Sequence, residues 1–271
     1  MHKIDVVPYN PDWPQIFEVE REIIAETLGD NCVTIHHIGS TAVHGLAAKP
    51  KIDIIIVAKE RESVIANLEK AEYCYRGEWN VPLKCGFTKR GNININLHVF
   101  FEKDHPEIEL NLLFRDYLRT HSDICDEYAA LKTKILQDES SQEKIGILPA
   151  YTIKKRCFID DIIRRTGFNR LRVLKCATDN EWIAVKNFRQ KYFDERKKPD
   201  PCGEISAPNH EHFMLYRGVE IIGYAHIQIY PKSSEARLHM VVFTDEKDKL
   251  SYCSYFLSTI EKWTMVHGYK F

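Results

Sequence analysis

Two β-branched runs, Val33-Thr34-Ile35-His36-His37-Ile38 and Ile52-Asp53-Ile54-Ile55-Ile56-Val57, bracket a loop containing Gly, Ser and Pro, and this pairing constrains the chain more than any other feature. Runs of that length and branching read as neighbouring strands. The second is apolar except for Asp53, a carboxylate that is costly to bury unless something neutralises it. The loop opens on Gly39-Ser40-Thr41 at a strand exit, where a small residue lets main-chain N–H groups approach an anion and two hydroxyls stand beside them. Lys49 and Lys51 add positive charge. A divalent cation would partner Asp53 and bridge it to phosphate oxygens. A capped turn beside a hydrogen-bonded strand Asp is the plainer reading, and both stay open.

Around this centre the pattern alternates between helix and strand. Asp12 is positioned to cap a helix carrying Trp13, Phe17, Ile24 and Leu28 on one stripe and stopped by Gly29. Residues 60–72 are helical in character, 83–88 and 94–101 read as strands, and 107–119, 123–137 and 149–165 as helices. Together these predict a mixed α/β sheet with helices over residues 1–168. A new pattern starts near Asn169: a strand over 171–174, a helix capped by Asp179, a polar Pro-containing segment, a hairpin about Arg217-Gly218, a strand over 236–244 and a helix over 250–267. This predicts a second domain over 169–271, an antiparallel meander with helices. A chain of 271 residues is long enough for two cores.

With 38 basic against 39 acidic side chains there is no overall drive toward nucleic acid or an anionic membrane, so neither is expected as a partner. No leader-like or membrane-length apolar stretch is present, which points to a soluble, cytoplasmic protein. The eight cysteines are scattered without a C-x-x-C pair and read as buried or incidental thiols of a reducing compartment.

The string from His36 to Val57 resembles the signature of the GrpB family: a histidine-containing strand, Ile38-Gly39-Ser40-Thr41-Ala42-Val43, Gly45-Leu46, Ala48-Lys49-Pro50, and an Ile-Asp strand. The resemblance continues in Asn96-Leu97-His98-Val99-Phe100, in His105-Pro106-Glu107-Ile108-Glu109, in Phe114-Arg115-Asp116-Tyr117-Leu118-Arg119 with His121, and in Tyr151 with Lys154 and Lys155. It spans roughly residues 4–165. It implies a nucleotidyltransferase-type sheet in which Gly39 and Ser40, with Thr41 and Lys49 nearby, contact a nucleoside triphosphate and Asp53 holds magnesium. The chain departs from an active pattern at Ile55, where two-metal chemistry needs a second carboxylate on the same face of the strand. His98 stands where a third acid would come from a later strand, and reads equally as a ligand, a proton carrier or a structural histidine. Arg115, Asp116 and Arg119 have the spacing of a solvated ion-pair face, and Glu107 after Pro106 that of a helix N-terminus.

The C-terminal part resembles the GNAT fold of acyl-CoA N-acyltransferases. Met240, Val241 and Val242 match the strand that offers backbone groups to the pantetheine arm of acetyl-CoA, and Asp248-Lys249-Leu250-Ser251-Tyr252-Cys253 matches the pyrophosphate loop. Small Ser251 and Cys253 permit close approach there, while Asp248 puts an acid where a cation belongs. The chain stops where that fold would begin its fifth strand, so an exposed sheet edge is expected, covered by a second copy or by a shorter variant sheet. Glu204, His210, Glu211, His212, His226, Glu235 and His239 carry acid/base chemistry without a pattern that selects one. The expected ligands are a phosphate-bearing small molecule with magnesium in the first domain and acetyl-CoA in the second. The expected activities are nucleotidyl or N-acyl transfer, with a non-catalytic binding or scaffolding protein as the third reading.

Overall fold

The computed structural model describes residues 5–137, 144–145, 148–149, 151, 154–198, 200, 207–244 and 249–271. The chain divides into two compact units that change over between Phe168 and Asn169, with Asn80–Pro82 and Ile145 grouping with the second. The described residues form a mixed α/β protein with a separate sheet in each unit.

Unit 1 is built on a five-stranded sheet of β1 (Cys32–Ile38), β2 (Lys51–Ala58), β3 (Cys74–Gly77), β4 (Cys85–Lys89) and β5 (Asn94–Phe100), in the order β1-β2-β5-β4-β3. β2 and β5 run parallel and every other pairing is antiparallel. Side chains alternate along β2, so Ile52, Ile54 and Ile56 join the core with α1 (Trp13–Leu28) and α2 (Arg61–Lys70), while Asp53 and Ile55 face the other way. Three further helices, α3 (Pro106–Thr120), α4 (Ser122–Gln137) and α5 (Arg156–Arg165), pack with the loop after β1 in a second cluster of Val43, Leu46, Leu118, Tyr128 and Ile162.

Several expectations are corrected in detail. Asp12 makes no side-chain cap for α1; its own amide donates to Asn10 Oδ1 at 2.8 Å. The helix expected over 149–165 is shorter, because Pro149 lies in a short strand, β7 (Leu148–Pro149), that follows β6 (Lys144–Ile145). β3 was not foreseen, being short and half polar. Nothing in its sequence alternates strongly enough to announce it.

In unit 2, β8 (Leu171–Lys175), β9 (His210–Arg217), β10 (Glu220–Tyr230) and β11 (Glu235–Phe243) form an antiparallel sheet in the order β11-β10-β9-β8. The β9–β10 hairpin turns at Gly218, whose φ of 58° suits glycine. Thr178, not Asp179, caps α6 (Asp179–Glu195), in a reciprocal capping box with Glu181. α7 (Lys249–Val266) puts Phe256, Ile260 and Trp263 into the core, where Trp263 meets Phe213 edge to face at 5.3 Å. β11 ends the sheet order, and Glu235 at its start is bridged in parallel by Lys270. Asp248, Cys202 and Glu204 lie outside the described residues. No helix among the described residues is long and apolar enough to cross a membrane.

Candidate functional site

The site forms where β1 hands over to the loop and β2 runs alongside it. Gly39 leaves β1 with φ 73°, and a Cβ built there would stand 2.9 Å from Asp53 Oδ2. Glycine is therefore required twice, for the backbone and for the closeness of the acid. The amides of Ala42 and Val43 close a 3₁₀ turn onto the carbonyls of Gly39 and Ser40. They are not available to an incoming anion.

Thr41, expected to offer its hydroxyl to phosphate, is only 2% exposed and donates to Lys51 O at 3.1 Å. Because that proton is committed, the His37 Nε2 contact of 3.1 Å is a donation from His37 to Thr41 Oγ1. His37 stacks on Phe17 at 4.6 Å, and burial, helped by nearby Arg119, lowers its pKa to about 4, which keeps it neutral. The loop is also gripped from α3. Arg115 donates to His37 O at 2.9 Å and Arg119 to Ala42 O at 2.8 and 3.0 Å, while both pair with Asp116. The expected ion-pair face is thus also a clamp on the loop backbone.

Asp53 has a partner within the chain. Lys51 Nζ lies 2.9 Å from its Oδ1, and His98 Nε2 lies 3.8 Å from the same oxygen. Burial alone would raise the Asp53 pKa, but Lys51 and His98 outweigh it and hold the carboxyl well below its ordinary range. Lys84 approaches the other nitrogen of His98, Nδ1, at 3.4 Å. An ammonium can only donate there, so Nε2 carries the imidazole proton toward Asp53.

Further lysines complete the cluster. Lys132 is 1% exposed and donates to Ala47 O and, at 3.4 Å, to Ser40 Oγ. Lys49 and Lys155 stand over the ring of Tyr151, 4.3 and 4.4 Å from its centroid. Burial is the main reason that Lys132 and Lys155 fall to a pKa of about 7 and Lys49 to about 8; Lys155 is lowered further by Lys49, Lys51 and Lys132. Lys155 thus lies within reach of the positive charge of Lys49, Lys51 and Lys132. Among the described residues, Lys49, Lys132 and Lys155 make no salt bridge.

These residues do not suit a catalytic magnesium pair. Only Asp53 brings a carboxylate from β2, and Lys51 already holds it; the same-face position two residues on is Ile55, 1% exposed. Among the described residues no group of three or more His, Cys, Asp or Glu side chains could hold a metal ion. His98 lies beside Asp53 as a neutral neighbour.

Sequence reasoning missed Lys84 and Lys132 as site residues. Lys132 had a signal: it falls on the buried stripe of α4 with Ile124, Tyr128 and Ile135, where a solvated lysine does not belong. Lys84 had none. In unit 2, Val241 and Val242 line a cavity of about 280 Å3 with Phe188, Tyr192 and Arg196 of and beside α6. Ser251 is exposed and Cys253 half-buried on the first turns of α7.

Known proteins resemble unit 1. The chain is 38% identical over 136 residues to the UPF0157 protein YqkA of Bacillus subtilis, matching 49% of this chain and 40% of the relative. It therefore spans well under half of that relative's length. It is 34% identical over 167 residues to the UPF0157 protein BH1888 of Halalkalibacterium halodurans, covering 60% of this chain and 83% of the relative. A crystal structure of the conserved protein GrpB from Enterococcus faecalis superposes with a TM-score of 0.53 at 32% identity, over 60% of this chain and 96% of that one. The family described as GrpB protein matches residues 3–165, which takes in the Gly39 turn, Asp53, His98, Lys132 and Lys155, and the chain accordingly belongs to the GrpB family.

Proposed function

We propose that unit 1 binds a phosphate-bearing small molecule at the mouth of the Gly39–Ser40 turn. One observation carries the reading: Lys49 and Lys155 stand over one Tyr151 ring and Lys132 donates to Ser40 Oγ at the turn, and among the described residues none of the three makes a salt bridge. Gathering cations in a partly buried place costs free energy in the empty protein, and an anionic ligand recovers it. Lys51 and Asp53 hold each other in position, leaving Lys49 and Lys155, both half-buried, to face the ligand. With one carboxylate on this face of β2, the reading is binding, and it assigns no nucleotidyl-transfer step to Asp53 or His98.

Calorimetric titration of ATP into the full chain and into Lys155→Gln tests this. A charge-assisted contact is worth roughly 1.5–3 kcal/mol, so the variant should bind about tenfold more weakly or worse. Absence of any saturable heat with the wild-type chain removes the reading.

Unit 2 supports a second reading, acyl-CoA binding and N-acyl transfer. Its strand–helix–three-strand–helix order matches the GNAT resemblance, and Val241 and Val242 line a cavity that Arg196 also borders. Acetyl-CoA retained by the chain through dialysis, and lost on Val242→Arg, is the expected outcome. Equal retention by both chains refutes the assignment of that cavity.

A further inference from the structure

We propose that Ser40 is a nucleophile with Lys132 as its general base, and that it takes up a phosphoryl group from a phosphoric ester or anhydride bound at the turn. The substrate class rests on the phosphate reading above, while the activation of the serine stands on contacts of its own.

Ser40 heads the 3₁₀ turn directly after β1, and Gly39, at φ 73°, makes the sharp reversal that brings it there. A residue set on a tight turn at a strand exit projects its side chain from the end of the sheet, which is where a nucleophile meets its substrate. Ser40 is half-buried, so part of it reaches the surface. Behind it stands Lys132 of α4, 1% exposed, with Nζ 3.4 Å from Ser40 Oγ and a hydrogen bond to Ala47 O. Tyr128, one turn earlier on α4, hydrogen-bonds the same serine, and its ring centroid lies 4.6 Å from Lys132 Nζ. A hydroxyl within reach of a buried amine and oriented by a third group is the arrangement of a nucleophile and its base, whose contact is often longer in an unliganded protein. The other hydroxyl of the turn is not so placed, since Thr41 is 2% exposed and gives its proton to Lys51 O.

An ammonium can only donate to Ser40, so the amine must be neutral to act as a base. Burial makes it so, lowering the Lys132 pKa to about 7 against a smaller opposing effect of Cys125. Around it, Tyr128 keeps its proton because burial raises its pKa, and Lys155 lies close enough for the two amines to disfavour each other's charge. Neutral, Nζ keeps a hydrogen for Ala47 O and turns its lone pair to Ser40 Oγ. It takes the Oγ proton as the Oγ–P bond forms. The P–O bond to the leaving group breaks, that oxygen departs with the bonding pair, and Lys132 returns the proton to it. The products are phosphoserine at position 40 and the released alcohol or phosphate.

Diisopropyl fluorophosphate, whose phosphorus bonds a serine oxygen as fluoride leaves, tests this on the full chain, with the labelled peptide mapped by mass spectrometry. Label is expected on Ser40, at a rate that climbs with pH and levels off above about 7 as Lys132 loses its proton. General-base assistance contributes roughly 10²–10⁴-fold, so Lys132→Arg, which keeps a donor for Ala47 O but holds its proton, should label about a hundredfold more slowly or worse and show no step near pH 7. Lys132→Met, which adds no bulk, should do the same, and Ser40→Ala should take no label at that position. Circular dichroism and ATP titration accompany each chain. No label on Ser40, a wild-type rate without the step near pH 7, or a wild-type rate in both Lys132 variants each overturns the inference. In those cases saturable ATP heat with the wild-type chain leaves the phosphate reading standing. Label with the expected dependence on Lys132 but no ATP heat removes the phosphate reading and, with it, the phosphoryl substrate assigned to Ser40.

Discussion

At the residue scale, the site turns on how closely one carboxylate approaches one glycine. Gly39→Ala forces a side chain to within 2.9 Å of Asp53 Oδ2 at a φ of 73°, whereas Gly45, at φ 78°, has open space around the same added atom. Both substitutions carry the backbone cost of about 1–2 kcal/mol for a left-handed residue, but only the first also displaces the Lys51–Asp53 pair. Urea unfolding should therefore rank Gly39→Ala as clearly the more destabilising; equal losses would mean that Asp53 yields without cost. Lys132 makes a separate prediction about pH. In the folded chain its amine loses its proton near pH 7 because it is buried, against about 10.4 when unfolded. Between those values the unfolded chain binds more protons, so folding stability rises with pH from about 7 toward 10. Lys132→Met removes this contribution, and the gain in urea midpoint between pH 7 and pH 9 should shrink relative to wild type. An undiminished gain would show that Lys132 is not the group responsible.

At the element scale, periodicity told most of the story and end chemistry told less. The stripe of Trp13, Phe17, Ile24 and Leu28 marked α1 because buried positions recur each turn, and all four are buried. The cap of that helix was misjudged, since Asp12 has the right chemistry yet takes up helical backbone angles and leaves its side chain unused. Likewise Asp179 looked like the start of α6, but Thr178 is the residue with extended backbone and Glu181 sits three positions on to answer it. The same pattern gives a test. Thr178→Ala should lower the stability of unit 2 by about 1 kcal/mol, while Asp179→Ala, one residue later, should cost less. Chemical denaturation followed by the tryptophans of unit 2 distinguishes them, and the reverse order would place the cap at Asp179. Pro149 shows the opposite limit: proline at a helix start is common enough to suggest a start at 149, and only the extended backbone of Leu148–Pro149 reveals that α5 begins later.

At the scale of the whole molecule, the strands, the loop between them and the charge of Lys49 and Lys51 were legible, but Lys84 and Lys132 were not. The motif from His36 to Val57 located Gly39 and Asp53, and the period of two along β2 already put Lys51 on the face of Asp53, a pairing that makes a metal partner unnecessary. Lys84 and Lys132 come from distant parts of the sequence, and no local pattern brings them to the turn. Only the fold brings Lys84 to His98 and Lys132 to Ser40. The GrpB structure from Enterococcus faecalis is matched over 96% of its length by 60% of this chain, so a fold of this kind stands without a second unit. A fragment of residues 1–168 keeps the sheet, α1 to α5 and every lysine of the site. It should unfold in one cooperative transition and bind ATP with the affinity of the full chain, because each contact proposed for the anion lies inside it. Cooperative unfolding with affinity reduced tenfold or more would mean that residues beyond 168 complete the site.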